Sequence, residues 1–179
     1  MNEQQILDLA REAGFSPALC ATADIPVDHS FRRYCEENLC GQYGQNYGCP
    51  PQCGTPAEME ARLRVSGQAL VLQSTWPISD YTDRTAITQA KIAHNAASYT
   101  LLQRLTAYGV RGFMVGCSGC TLCEECALTC GAPCAYPEDR YACMSAYCVH
   151  VLELATRCGL RYDCNDGNLR MFGMLVLEK

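Results

Sequence analysis

Residues 111–134 read RGFMVGCSGCTLCEECALTCGAPC, and the fold and the chemistry of the chain both turn on this stretch. Its first six residues are a strand-length apolar run that delivers the chain into a loop. The eighteen residues from Cys117 to Cys134 then hold six cysteines, and Cys117, Cys120, Cys123 and Cys126 fall in an unbroken three-residue step. A C-x2-C-x2-C loop wraps one corner of an iron–sulfur cube and offers a thiolate to each of three irons, leaving the fourth to a remote cysteine. The expected cargo is a 4Fe–4S cluster. Cys126 and Cys130 keep the C-x3-C step of bacterial ferredoxins, but Gly131 stands where proline would follow. Cys134, beyond the turn that Gly131 and Pro133 make, is the better local fourth ligand. Four thiolates around one zinc ion are the alternative, although zinc sites separate their C-x2-C pairs by a loop long enough to fold back.

Outward from this loop, helices and strands alternate. A helix is expected over residues 3–13, closed by Gly14, then a strand over PALCATADI. Thr55, Pro56 and Glu58 form a capping-box arrangement that opens a helix to about Ser66. QALVLQSTW has the length of a buried strand, and residues 84–108 keep a helical period up to Gly109. A helix over residues 145–158 and a last strand, MFGMLVLEK, complete the chain. This order predicts an α/β fold: a single domain over residues 1–179 with a mixed sheet, flanking helices, and cysteine-rich metal-binding loops, about 35–53 and 117–143, at one edge.

The earlier loop is C-x4-C-G-x-Y-G-x-N-Y-G-C-P-P-x-C, from Cys35 to Cys53. In two-cluster ferredoxins a cysteine before proline ligates the cluster whose other ligands are distant in sequence. Cys49 has that context, and Pro50 and Pro51 are expected to hold the loop extended behind it. Cys49 either completes the Cys120 cluster or, with Cys35, Cys40 and Cys53, holds a second one. Cys20, Cys148 and Cys158 have the setting of core thiols. Cys143 and Cys164 stay undecided. His94 falls on the apolar face of the long helix, the position of a hydrogen-bonded core histidine.

The 179 residues include fifteen cysteines, an odd number that fits metal ligation in a reducing compartment better than a secreted disulfide scaffold. No signal sequence and no membrane-length apolar run is visible, so a cytoplasmic location is expected, without membrane contact. A net charge of −5 speaks against a nucleic-acid surface. No nucleotide-binding glycine motif and no Ser/His/Asp constellation occurs.

Cys40-Gly-x-Tyr-Gly, Cys49-Pro-Pro, Cys120-Thr-Leu-Cys-Glu-Glu-Cys126, Cys134-x-x-Pro137-Glu138, and Met144 followed by Ala146 together resemble the predicted metal-binding proteins of domain of unknown function 2284, over residues 35–159. The resemblance implies a cysteine-ligated metal or iron–sulfur protein of anaerobic metabolism, with ligand positions at Cys40, Cys49, Cys120, Cys123, Cys126 and Cys134. The chain departs from the family pattern at Cys143 and Ser145, where serine and glutamate are expected, and at Cys148 and His150, in place of glycine and aspartate. The opening residues 6–26 are similar to those of corrinoid-dependent iron–sulfur reductases. Three functions follow as expectations: electron transfer with a redox protein partner; an iron–sulfur enzyme with an open cluster iron or a corrinoid, its cavity lined by Tyr43, Tyr47 and Tyr136; or a structural zinc module.

Overall fold

In the computed structural model, which describes residues 1–65 and 67–178, the order is α1 (Glu3–Glu12), β1 (Ser16–Ala21), α2 (Arg32–Glu36), α3 (Pro56–Val65), β2 (Gln68–Pro77), α4 (Arg84–Ala107), β3 (Gly112–Gly116), β4 (Ala142–Cys143), α5 (Val151–Arg157) and β5 (Asn168–Leu177). The strands form one sheet in the order β1-β2-β5-β3-β4. All neighbours are antiparallel except β3 and β4, which run parallel. The fold is α/β with a mixed sheet, as the alternation predicts.

Successive side chains of a strand point to opposite faces, so a strand that is apolar without interruption must be covered on both. β2 shows this directly. Ala69 and Val71 pack with Met59 and Leu63 of α3 and Leu154 of α5, whereas Leu70 and Leu72 pack with Ile6 and Ala10 of α1 and Leu101 and Leu105 of α4. β5 repeats the division, with Met174 and Val176 on the first face and Leu175 and Leu177 on the second. Each fully buried leucine here stabilises the fold by about 1.5–3 kcal/mol. The helix caps follow the sequence: Thr55 Oγ1 accepts from the Glu58 amide at 3.3 Å while a Glu58 carboxylate oxygen accepts from the Thr55 amide at 2.8 Å.

Three elements differ from expectation. The last helix covers only Val151–Arg157, because Cys148 has φ 56°, a left-handed conformation that cannot continue an α-helix, and His150 caps α5 by accepting from the Glu153 amide. Residues 142–143, ahead of the expected helix, pair beside β3. The strand over PALCATADI stops at Ala21 and gives way to a 3₁₀ turn over Thr22–Asp24. Cys49-Pro-Pro is turned rather than extended, since the Cys53 amide donates to the Cys49 carbonyl at 3.1 Å. Ser66 and Lys179, where the third helix and the last strand were expected to end, lie outside the described residues.

β3 releases the chain at Gly116 into an irregular segment that returns at β4, the edge strand. No helix among the described residues is long and apolar enough to cross a membrane.

Candidate metal centre

Residues 37–55 and 117–141 have almost no regular ladder, so their backbone groups are held by side chains and by each other. Asn46 Nδ2 donates to the Cys120 carbonyl at 2.9 Å, while its Oδ1 accepts from the Gly48 amide at 2.8 Å. Next to it, the Tyr47 amide donates to Cys126 Sγ at 3.5 Å, and the Tyr47 hydroxyl donates to the Ala132 carbonyl at 2.8 Å. From α4, Asn95 Oδ1 accepts from the Cys117 amide at 3.0 Å and its Nδ2 donates to Ser118 Oγ at 2.9 Å. The Tyr141 hydroxyl accepts from the Thr121 amide at 2.9 Å.

Two glycines set how closely the segments approach. A Cβ at Gly48 would stand 2.0 Å from the Tyr141 carbonyl oxygen, and one at Gly119 would stand 2.9 Å from Cys49 Sγ. A side chain at Gly48 would run into backbone, and one at Gly119 would force the Cys49 side chain to shift. The Cys49 thiol thus lies against the central loop, although more than sixty residues separate them in sequence.

Cysteines line two neighbouring cavities. The smaller is walled by Cys120, Cys123, Cys126 and Cys134, with Tyr47 and Tyr136 beside them. The larger is an open cleft of about 660 Å³ bordered by Cys35, Cys40, Cys49, Cys117 and Cys143, with Cys120, Cys123 and Cys126 on the wall shared with the first. Among the described residues no three Cys, His, Asp or Glu side chains close on one point as the ligands of a single ion do; the thiols stand around the cavity walls.

A family described as predicted metal-binding protein (DUF2284) matches residues 18–177 of this chain. The chain belongs to that family. Neither the curated proteins nor the solved structures contain a match. The six cysteines that the family pattern picks out all border the cavities of this DUF2284 protein, Cys40 and Cys49 on the open cleft, Cys134 on the small cavity, and Cys120, Cys123 and Cys126 on both.

Of the other expected ligands, Cys35 lines the cleft, and Cys117 lines it while its Sγ lies 3.4 Å from Asn95 Oδ1 and 3.5 Å from the Lys91 carbonyl oxygen, either of which can accept its one S–H. Cys53 does not border the cleft and packs against the core beneath α3. Cys143, undecided from sequence, does border it. Its substitution for the family serine was the available signal. Cys20 and Cys158 pack against the same core beside one another, as core thiols should. His94 is a core histidine whose Nδ1 lies 2.7 Å from Ser74 Oγ, and burial pulls its pKa down to about 4. Of the three tyrosines expected at a cavity, Tyr47 and Tyr136 line the small one and Tyr43 the cleft. Asn46, Asn95 and Arg32 were missed, because a polar residue that supports a loop has no periodicity to reveal it.

Burial raises the affinity of five of the cleft-lining thiols for protons, since removing water disfavours the thiolate. It pushes Cys35 up to about 11 and Cys117 up to about 12, and it raises Cys49, Cys120 and Cys143 as well. Neighbouring thiols add to this in two groups: Cys134 and Cys123 act on Cys120, whereas Cys143 and Cys40 act on both Cys35 and Cys49. Without metal, Cys35, Cys49, Cys117, Cys120 and Cys143 are neutral thiols at pH 7. A cation that binds them must displace their protons, so its affinity rises with pH.

Proposed function

We propose that this DUF2284 protein is an iron–sulfur protein that carries a 4Fe–4S cluster on Cys120, Cys123, Cys126 and Cys134 and exchanges electrons with a protein partner in a reducing, anaerobic setting. The observation that carries this reading is the small cavity walled by all four thiols, three of them in C-x2-C-x2-C spacing. Thiols arranged around a cavity suit a cluster in which each iron takes one thiolate.

When bound, the cluster supplies a one-electron couple whose potential depends on hydrogen bonds to sulfur and on solvent access. The chain's own groups bear on both. The Tyr47 amide donates to Cys126 Sγ, which favours negative charge on that sulfur, and the Leu122 and Tyr141 amides do the same for Cys120. Tyr47, Leu122 and Tyr136 screen the cavity from water. Glu124, Glu125, Glu138 and Asp139 are exposed on the surrounding surface, and the chain carries a net charge of −5. A partner with a basic face is the complementary one.

The test is an anaerobic redox titration followed by electron spin resonance. The expected result is a reversible one-electron signal from this cluster that is missing from the spectrum of Cys123→Ser. A spectrum that Cys123→Ser leaves identical to that of the natural chain overturns the ligand assignment, and one that changes on addition of a small-molecule ligand moves the protein to the open-iron enzyme reading.

A further inference from the structure

The open cleft beside the first site carries thiols that the electron-transfer reading leaves unused. Cys35 comes from α2, Cys40 from the turn after it, Cys49 from the turn before Pro50, and Cys143 from edge strand β4. Three thiols from one fifteen-residue segment and a fourth from β4 border one cleft of about 660 Å³, and none of the four borders the small cavity. Cys117 borders it too, but its thiol is engaged by Asn95 and the Lys91 carbonyl.

A second observation is independent of the thiols. Arg32 is only 8% exposed, and its two terminal nitrogens donate to the Gly54 carbonyl at 2.9 Å and the Ala146 carbonyl at 2.8 Å. Its Nε has no hydrogen-bond partner, and among the described residues no carboxylate forms an ion pair with it. A guanidinium keeps its charge in proteins, and a buried charge without a counter-charge costs several kcal/mol. Arg32 sits one turn before Cys35 on α2. A negatively charged group beside α2 would balance this cation. Four thiolates around an iron–sulfur core carry net negative charge and balance it.

We propose that Cys35, Cys40, Cys49 and Cys143 hold a second iron–sulfur cluster of the 4Fe–4S class, with Arg32 as its buried counter-charge. The proposal rests on the iron–sulfur reading of the first site. The close approach of Cys49 Sγ to Gly119, and of Gly48 to the Cys120 side chain, makes the two sites neighbours. Electrons entering at one site then have a short route to the other.

The test measures iron and acid-labile sulfide per chain, with spin resonance spectra, for the anaerobically reconstituted full chain and for Cys123→Ser, Cys143→Ala and Cys40→Ala. Cys40 is exposed, so its loss leaves the core intact if Cys143→Ala fails to fold. The expected content is about eight irons in the natural chain and about four in each variant, with magnetic coupling between two reduced clusters lost in every variant. Cys123→Ser and Cys40→Ala retain different spectra. If the natural chain holds about four irons, Cys40→Ala leaves them unchanged and Cys123→Ser removes them, the second site is overturned and the first stands. If no preparation holds iron, both fall. Arg32→Gln, made alongside, is expected to lower iron content and to leave the spectrum of the cluster that Cys40→Ala retains; full iron with an unchanged reduction potential removes Arg32 from the site.

Discussion

The middle of the sheet and the cysteine segments are held together by opposite means. β2 and β5 pair over ten residues and bury apolar side chains on both faces, so they are stabilised by area removed from water. Residues 37–55 and 117–141 have little apolar surface to bury and depend on single hydrogen bonds from Asn46, Tyr47, Asn95 and Tyr141 and on the absence of side chains at Gly48 and Gly119. The first region buries its apolar surface without help from metal. The second lies at the low-stability end of the structure, where bound metal contributes most to order.

Metal removal has the largest expected effect. Chelation under reducing, anaerobic conditions should open residues 37–55 and 117–141 to proteolysis while amide protection in β2 and β5 persists. If both regions lose protection together, the division between them is wrong. Leu175→Ala attacks the other side. It should lower global stability by about 3 kcal/mol, measured by denaturant unfolding, and leave iron per folded chain unchanged.

His94 gives a finer probe because it lies in the core but close to the Cys117 end of β3. Its folded pKa of about 4 lies below the ordinary value of 6.5, so the unfolded chain takes up a proton first as pH falls. Stability from this residue is full above pH 6.5 and is lost as pH drops from there toward 4. The loss between pH 8 and pH 5 should be about 2 kcal/mol, and His94→Gln should lack that part of the acid sensitivity. An equal slope in both proteins would remove His94 as the cause. Thr55→Ala, at the junction of the first cysteine segment and α3, carries the smallest effect, about 1 kcal/mol of lost capping with the metal spectrum unchanged.

What was legible in the sequence divides along the same line. The sheet and its helices have periodic burial, so QALVLQSTW and the long helix from Arg84 appear as what they are. The helix expected over residues 145–158 failed because Cys148 adopts a left-handed backbone, the conformation glycine takes freely, and the family pattern has glycine there. In the cysteine segments the spacing identified Cys120, Cys123, Cys126 and Cys134 as neighbours, since they are local. It did not bring Cys143 beside Cys35 and Cys49, or keep Cys53 off the cleft wall, because those relations are created by parallel pairing of β4 with β3 and by the turn at Cys49. Long-range placement of a thiol has no local signature.

The account rests most heavily on the identity of the metal. Iron, acid-labile sulfide and zinc should be determined together on chain made without oxygen and supplied with both iron and zinc. The account predicts brown protein with iron and sulfide in equal amounts, zinc well below one per chain, and bleaching in air. Colourless protein with stoichiometric zinc and no sulfide would contradict it.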